Sequence, residues 1–259
     1  MRSVVSLMDK AIPPRFPVIT DWPEIDAEAM ALVDRLMMDT FLISLTQMME
    51  NAGRSLATVA RDRFLAGDAR GSRLAVMAGS GGNGGGALVA ARRLANWGAS
   101  VSVILTREPS AMKGVPGQQL AILDRMGIQP VAGPLGPVDL IIDGLVGYSL
   151  VGEPHGRAAQ LIDWANAQPA PTLSLDVPSG FEAASGTLPG LAVRATATLT
   201  LALPKRGLLS AGVAPSVGEV YLADISVPPA LYGRLPVPLA VPTFSEGDIV
   251  RILRPGEPA

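Results

Sequence analysis

The stretch LAVMAGSGGNGGGALVAARRL, at residues 74–94, decides the fold. Five apolar residues come first, a glycine-rich segment follows, and alanine and leucine then recur at helical spacing. This order predicts a strand, a tight turn and a helix, which together begin a β-α-β unit. Glycine lets backbone N–H groups approach an anion, and the positive end of the helix dipole favours the same charge. The turn therefore predicts a site for an anionic, nucleotide-like ligand.

The glycines at 79, 81 and 84 also fit the pattern G-x-G-x-x-G, which gains weight inside a β-α-β unit. The alternative is a tight turn that binds nothing. An ordinary NAD dehydrogenase would carry an acidic residue about 20 positions further on, at the end of the next strand. That place reads Thr106, Arg107 and Glu108. Glu108 could bind a ribose and Arg107 a 2′-phosphate, but either one is a poor match to that class of enzyme.

The chain around this stretch repeats the same alternation. Short apolar runs at 74–78, 101–105, 138–142 and 172–175 predict strands, and helical patterns lie at about 84–97, 116–126 and 156–167. Strands that are apolar on both faces are typical of parallel sheets with right-handed crossovers. Two amphipathic helices come earlier, the first capped by Asp26 and the second ending near Gly67. We therefore expect an α/β fold with a mostly parallel central sheet.

The two ends of the chain are less regular. Residues 1–23 hold several prolines without a clear period and predict an irregular arm, and 24–230 predict the folded domain. Strands are expected at 195–203 and 218–225, where a looser pattern would also allow antiparallel pairing. The proline-rich residues 231–259 predict a tail that packs on the domain or extends from it.

Composition excludes several classes of function. The 259 residues include 21 Lys and Arg against 23 Asp and Glu, so no basic surface for nucleic acid or an anionic membrane is expected. There is no cysteine and one histidine, which excludes disulfides and thiolate sites and leaves little room for zinc sites or catalytic triads. That residue, His155, is an alternative candidate for a catalytic base, but a histidine just before a helix is more often a solvated cap. No apolar run reaches the roughly 18 residues of a membrane span, so we expect a soluble, cytoplasmic protein.

Two aspartates stand directly after predicted strands. Asp143 follows the run at 138–142, and Asp176 follows the run at 172–175, with Ser179 close behind. Ligands of open α/β sheets bind in the crevice at the carboxyl ends of the strands. Carboxylates at that edge can act as an acid/base group and as a ligand for a hard cation. The alternative is turn or capping chemistry, which Asp and Ser at such junctions also serve.

Five motifs in a fixed order identify a family resemblance over about residues 24–229. They are MENAG at 49–53, GGNGG at 81–85 with VAAR at 89–92, Asp143, LDVPSG at 175–180, and LPKRG at 203–207. This set resembles the NAD(P)H-hydrate epimerases, also called the YjeF amino-terminal domain family. Members interconvert the two C6 epimers of hydrated NADH and NADPH, so that a dehydratase can restore the usable cofactor.

The resemblance implies a three-layer αβα Rossmann-like fold, a homodimer, one K⁺ per chain and no redox cofactor. It implies K⁺ ligands at Asn83, Asp143 and Ser179, with K⁺ in a positioning role. Asp176 would be the acid/base for reversible loss of the C6 hydroxyl or for ring opening. The dehydratase would be a separate polypeptide, because the chain ends at Ala259. The substrate contacts that it implies are Gly82, Asn83, Gly84, Gly85, Gly86, Gly147, Tyr148, Ser149, Leu150, Val151, Gly152, Glu153 and Asp176.

The chain also departs from the family pattern. The usual loop GNNGGDG reads GGNGGGA at 81–87, so Gly82 replaces an amide and Gly86 replaces a carboxylate. The usual DALFGTG reads DGLVGYS at 143–149, which introduces Tyr148 and Ser149. A catalytically impaired nucleotide-binding scaffold of the same fold is therefore an alternative function. An ordinary Rossmann dehydrogenase is a third, disfavoured by the missing ribose-binding acid and by the lack of a Tyr-x-x-x-Lys pair.

Overall fold

The computed structural model describes residues 16–133, 136–254 and 256–257. The strands in chain order are β1 (Val18–Ile19), β2 (Arg73–Ala78), β3 (Ser100–Leu105), β4 (Leu140–Gly144), β5 (Thr172–Leu175), β6 (Ala197–Leu201), β7 (Glu219–Ala223) and β8 (Ile249–Ile252). The helices are α1 (Ala27–Asp39), α2 (Leu45–Val59), α3 (Gly82–Asn96), α4 (Gly114–Arg125), α5 (Gly156–Asn166), α6 (Ala214–Val217) and α7 (Pro229–Tyr232). A π-helical segment, Ala60–Phe64, extends α2, and a 3-10 turn, Pro109–Ala111, precedes α4.

The strands form one eight-stranded sheet in the order β1-β8-β7-β6-β5-β4-β2-β3. Among the strands of the described residues, every pairing is parallel except that of β7 with β8. The expectation of a mostly parallel sheet is confirmed. The strands near 195–203 and 218–225 are parallel to each other, because the segments before β6 and β7 cross over the sheet and return in the same direction. The antiparallel pairing that the looser pattern allowed occurs between β7 and β8.

The two ends of the described chain close the far edge of the sheet. The arm predicted at 1–23 contributes β1, which pairs with β8 in the predicted tail; residues 1–15 lie outside the described part. Arg251 N donates to Pro17 O at 2.8 Å, and Leu253 N donates to Ile19 O at 2.9 Å. In the tail, Leu231 is fully buried. This part of the tail therefore packs on the domain.

Helices cover both faces of the sheet, which gives the three expected layers. Alternate residues of β2 point to opposite faces. Leu74, Val76 and Ala78 pack with α1–α4, whereas Ala75 and Met77 pack with α5. Asp26 caps α1 as predicted, since its Oδ1 accepts from Ala29 N at 2.8 Å. Among the described residues, no helix has the length and apolar character that crossing a bilayer demands.

The layers position a crevice between β2 and β4. The helix after β2, α3, packs on one face of the sheet, and the helix after β4, α5, packs on the other. The loops that leave these neighbouring strands therefore diverge at their carboxyl ends. Open α/β sheets bind ligands at such a topological switch point.

Candidate functional site

A cleft of about 650 Å³ lies along the carboxyl ends of β2 to β7. This volume is in the range of small-molecule sites. The glycine turn after β2, the loop after β4 and the residue after β5 supply most of its polar groups. Its described wall includes charged and polar side chains at Asp34, Asn83, Arg107, Tyr148, Asp176 and Lys205.

The glycine turn after β2 forms the wall nearest the start of α3. The helix begins at Gly82, and its cap residue Gly81 has no side chain to satisfy the first backbone N–H groups. Ser80, Gly81, Gly82 and Asn83 line the cleft. The predicted strand, turn and helix are confirmed. The positive end of the helix dipole faces the cleft, as an anion site requires.

Gly84 sets the tightest packing of the turn, because a Cβ there would lie 1.8 Å from Gly79 O. We expect Gly84→Ala to lower the free energy of unfolding by on the order of 3 kcal/mol, since backbone atoms would have to move apart. The matched control is Gly82→Ala, whose Cβ would have Met49 Sδ, at 3.8 Å, as its nearest neighbour. Urea unfolding measures both variants. Equal unfolding midpoints would show that the turn does not need its close approach.

Asp143 lies beneath the cleft rather than in its wall and is fully buried. Its Oδ2 accepts from Ser174 Oγ at 2.8 Å and from Ser179 N at 2.9 Å. Its Oδ1 accepts from Ser179 Oγ at 2.6 Å and from Leu145 N at 3.2 Å. Burial raises the pKa of the Asp143 carboxyl, and these hydrogen bonds oppose the rise. The network joins the end of β4 to the loop after β5.

Three predicted site residues meet around Gly147. A Cβ on this glycine would lie 2.8 Å from Asn83 Oδ1 and 3.1 Å from Asp176 Oδ2. The Asn83 amide is oriented by its Nδ2, which donates to Leu175 O at 2.8 Å. Asn83 therefore presents its oxygen beside Asp176, and Gly147 leaves room for both.

Asp176 forms a buried ion pair with Lys205. Their side chains are 4% and 1% exposed, and Asp176 Oδ1 contacts Lys205 Nζ. Asp176 Oδ2 accepts from Tyr148 N at 3.0 Å, and Lys205 Nζ donates to Leu201 O at 2.9 Å. Asp176 also has a φ of +69°, in the left-handed region that Asp and Asn enter more readily than most residues. The structure thus holds a carboxylate and an ammonium in fixed positions in the wall of the cleft.

Asp34 and Tyr148 form a second polar pair in the wall. Tyr148 Oη donates to Asp34 Oδ2 at 2.6 Å, and the Tyr148 ring centre lies 5.8 Å from Lys205 Nζ. Burial raises the pKa of the Asp34 carboxyl, although the hydrogen bond from Tyr148 and the charge of Lys205 lower it. Burial and the nearby Asp34 charge raise the pKa of Tyr148 well above its usual value. The two pairs lie side by side.

Sequence reasoning gave no role to Asp34 or Lys205. Lys205 stands in the LPKRG motif, and the available signal was a lysine just after the apolar run of β6. Asp34 lies on α1 next to Arg35, where a single aspartate resembles an ordinary solvated residue. Only the folded arrangement brings either residue to Asp176 and Tyr148.

The segment predicted at 147–153 divides into two parts. Gly147, Tyr148, Ser149 and Leu150 line the cleft. Val151 is 89% exposed, Gly152 N donates to Glu182 Oε1 at 3.1 Å, and Glu153 packs against Gly190. The last three residues thus turn away toward the loop at 182–190.

Gly84, Gly85 and Gly86 are buried within α3 and do not belong to the described wall of the cleft. A Cβ on Gly86 would lie 2.8 Å from Leu175 Cδ2 and 3.7 Å from Ala52 Cβ. A carboxylate at position 86 would therefore meet apolar side chains in this chain. Position 86 itself lies outside the described wall.

Comparisons with known proteins agree with this fold. A family model described as YjeF-related protein N-terminus matches residues 45–207. A protein of Dehalogenimonas lykanthroporepellens named NAD(P)H-hydrate epimerase is 44% identical over 88% of this chain and 92% of its own length. One of the same name from Truepera radiovictrix is 41% identical over 73% of this chain and 83% of its own length.

Two further likenesses concern a longer protein and a solved structure. The bifunctional NAD(P)H-hydrate repair enzyme Nnr of Salinibacter ruber is 31% identical over 82% of this chain, which spans 42% of that protein. The crystal structure of the yeast protein YNL200c superposes with a TM-score of 0.72 at 21% identity, covering 89% of this chain and 100% of that one. The second likeness supports the fold alone.

Proposed function

This chain belongs to the NAD(P)H-hydrate epimerases built on the YjeF-related amino-terminal domain, and we propose that it interconverts the R and S epimers of hydrated NADH and NADPH. Two relatives have that name, and each is more than 40% identical to this chain over most of its own length. The observation that carries the proposal is the buried Asp176–Lys205 ion pair. Both residues line the cleft, and the amino end of α3 lies in the same wall. The pair supplies proton transfer, and the helix end suits the phosphates of a nucleotide.

Epimerisation at C6 follows from one transferable proton shared by this pair. The lone pair on the ring nitrogen expels the C6 hydroxyl, which takes the proton and leaves as water. The C=N⁺ bond that forms makes C6 planar, so water can add to either face. The added water then returns its extra proton to the Asp176–Lys205 pair. One water has left and one has been added, so the substrate and the ion pair keep their composition. Positioned acid/base groups of this kind contribute typically 10²–10⁴-fold to a rate.

The same cleft argues against the scaffold alternative. A binding module needs the helix end and the loop but has no use for a buried carboxylate–ammonium pair in the wall. The replacement at Gly86, which motivated the alternative, lies away from the wall.

We test the function with the wild-type protein and a mixture of hydrated NADH epimers separated by chromatography. Equilibration faster than in buffer supports the epimerase. Tight binding without equilibration would favour the scaffold, and hydride transfer to an added acceptor would favour a dehydrogenase.

The second polar pair predicts a pH-dependent effect of Asp34→Asn on stability. Burial raises the pKa of Asp34 in the folded protein above its usual value. The protonated Asp34 carboxyl therefore stabilises the folded protein. This contribution is fully present below the pKa of the unfolded state and is lost as pH rises through the pKa of the folded state. Asparagine cannot ionise and can still accept from Tyr148 Oη. Asp34→Asn should thus gain stability relative to wild type between acid and neutral pH, as measured by urea unfolding. A difference that does not change with pH would contradict this prediction.

We propose that one K⁺ binds between the glycine turn and the loop after β5, held by Asn83, Asp143 and Ser179. The residues fit a hard monovalent cation because all three offer oxygen. In the described part of the chain, the fully buried Asp143 carboxylate has no ion pair, so a cation would balance its charge. Bound K⁺ would supply positive charge that fixes the two loops. This is a positioning role.

Potassium should therefore stabilise the protein. At a hundredfold excess over the dissociation constant the gain is about 2.7 kcal/mol, which corresponds to a rise of roughly 5–10 °C in Tm. We expect this rise in potassium chloride relative to choline chloride at equal ionic strength, and we expect Ser179→Ala to reduce it. Thermal unfolding measures both. The same Tm for wild type in the two salts would rule out the potassium site.

The resemblance also implies a homodimer and a cytoplasmic location, and both stay predictions. We further propose that a dehydratase consumes the product, because the Salinibacter ruber relative is named as a bifunctional repair enzyme and extends well beyond the part that matches this chain.

A further inference from the structure

The cleft has two ends of different character. At one end the Asp176–Lys205 and Asp34–Tyr148 pairs lie side by side. At the other end, Arg107 enters the wall from the loop after β3. This second end lacks a role in the proposed chemistry, which takes place at Asp176.

Arg107 is available for a ligand. The residue is exposed, and no hydrogen bond or ion pair ties it to another described residue. Its loop is fixed nonetheless, because Thr106 N donates to Ala78 O at 3.1 Å and so attaches the end of β3 to β2. By contrast, Arg157 across the cleft is committed to the protein, since it donates to Ala132 O and Gln160 Oε1. Arg107 therefore offers a free guanidinium on an anchored loop.

The sheet order places Arg107 at the distance that a dinucleotide spans. From β3 to β5 the order is β3-β2-β4-β5, which is three strand spacings or about 14 Å. The glycine turn after β2 lies between them. A hydrated nicotinamide at Asp176 and a pyrophosphate at the start of α3 would put the adenosine beside Arg107. In β-α-β units the end of the second strand contacts the adenine ribose.

Of the two charged residues at that position, Arg107 lines the cleft, whereas Glu108 does not belong to its described wall. An acidic side chain would hydrogen-bond the ribose 2′-hydroxyl of NADH, whereas an arginine accommodates the 2′-phosphate of NADPH. A guanidinium can bind a phosphate through two parallel hydrogen bonds. We propose that Arg107 forms a 2′-phosphate subsite and that this chain prefers hydrated NADPH to hydrated NADH. This inference rests on the proposed function for the identity of the substrate.

Binding of two adenosine nucleotides tests the subsite without turnover. Calorimetry compares adenosine 2′,5′-bisphosphate with adenosine 5′-monophosphate for wild type, Arg107→Ala and the control Arg125→Ala, an exposed arginine at the end of α4 outside the described wall of the cleft. We expect Arg107→Ala to weaken the bisphosphate by about 10- to 100-fold and to leave the monophosphate unchanged. Arg125→Ala should change neither. Equal affinities of wild type for the two nucleotides, or equal loss for both in Arg107→Ala, would overturn the subsite.

Turnover then links the subsite to the substrate. The ratio of kcat/KM for hydrated NADPH over hydrated NADH should fall about 10- to 100-fold in Arg107→Ala, through KM with kcat kept. An unchanged ratio would overturn the proposed preference. If wild type shows the Arg107-dependent preference in binding but equilibrates neither substrate, the subsite stands and the epimerase proposal fails.

Discussion

Asp176→Asn should slow exchange of the C6 epimers by about 10²–10⁴-fold, the range that a positioned acid/base group contributes. The amide has nearly the shape of the carboxylate but can neither accept nor return a proton at neutral pH. The substitution also suits the backbone, since asparagine enters the left-handed region, where Asp176 has a φ of +69°. Tyr148 N can still donate to the amide oxygen, so the loop after β4 should keep its position.

The measurement is the initial rate at which a single epimer converts to the other. Nucleotide affinity, measured on the same preparation by calorimetry, serves as the control for an intact cleft and should stay within about twofold of wild type. Retained exchange with intact binding would remove Asp176 from the acid/base role. Loss of binding together with exchange would indicate a structural role.

Lys205→Met should have the largest effect on stability. Lys205 is fully buried, and its removal leaves the Asp176 carboxylate in a buried position without a cation. Breaking a buried pair by removing one partner typically costs about 3–5 kcal/mol. Methionine fills similar space, so the loss reflects charge more than volume. Epimer exchange should fall as well, because the shared proton is lost.

A matched control and a second-site change separate charge from packing. Arg206→Met alters the next residue, whose side chain is 65% exposed and pairs with Asp26; such surface pairs are worth about 0–1 kcal/mol. Adding Asp176→Asn to Lys205→Met removes the unpaired carboxylate and should restore part of the lost stability. Urea unfolding measures all three. Equal stability of Lys205→Met and Arg206→Met would show that the buried pair contributes little.

The sequence predicts the central part of the fold because its signals are local. Apolar runs bounded by glycine and aspartate mark β2, β4 and β5, and parallel strands bring their carboxyl ends to one edge. This rule anticipates that Asn83 and Asp176 come close to each other. The same signals do not predict β1 and β8, because these strands have only two and four residues and lie in proline-rich surroundings.

Other features depend on contacts between distant segments. The direction of β6 and β7 is set by the crossovers before them, and no periodicity within a strand reports it. Asp34 acquires its role only when α1 packs over the cleft, and Lys205 only when the chain after β6 turns back to Asp176. The change at Gly86 illustrates the same limit, since sequence reasoning treats it as a lost site group and the structure places it against Leu175.

The most direct test of the proposed activity uses one purified epimer of hydrated NADPH, the wild-type protein at catalytic concentration, and potassium in the buffer. Chromatography follows the appearance of the other epimer over time, with Asp176→Asn and buffer alone in parallel. We predict that the wild-type protein brings the two epimers to equilibrium well ahead of the spontaneous reaction and that Asp176→Asn tracks the buffer. A wild-type rate equal to that of buffer would contradict the assignment of this chain as an epimerase.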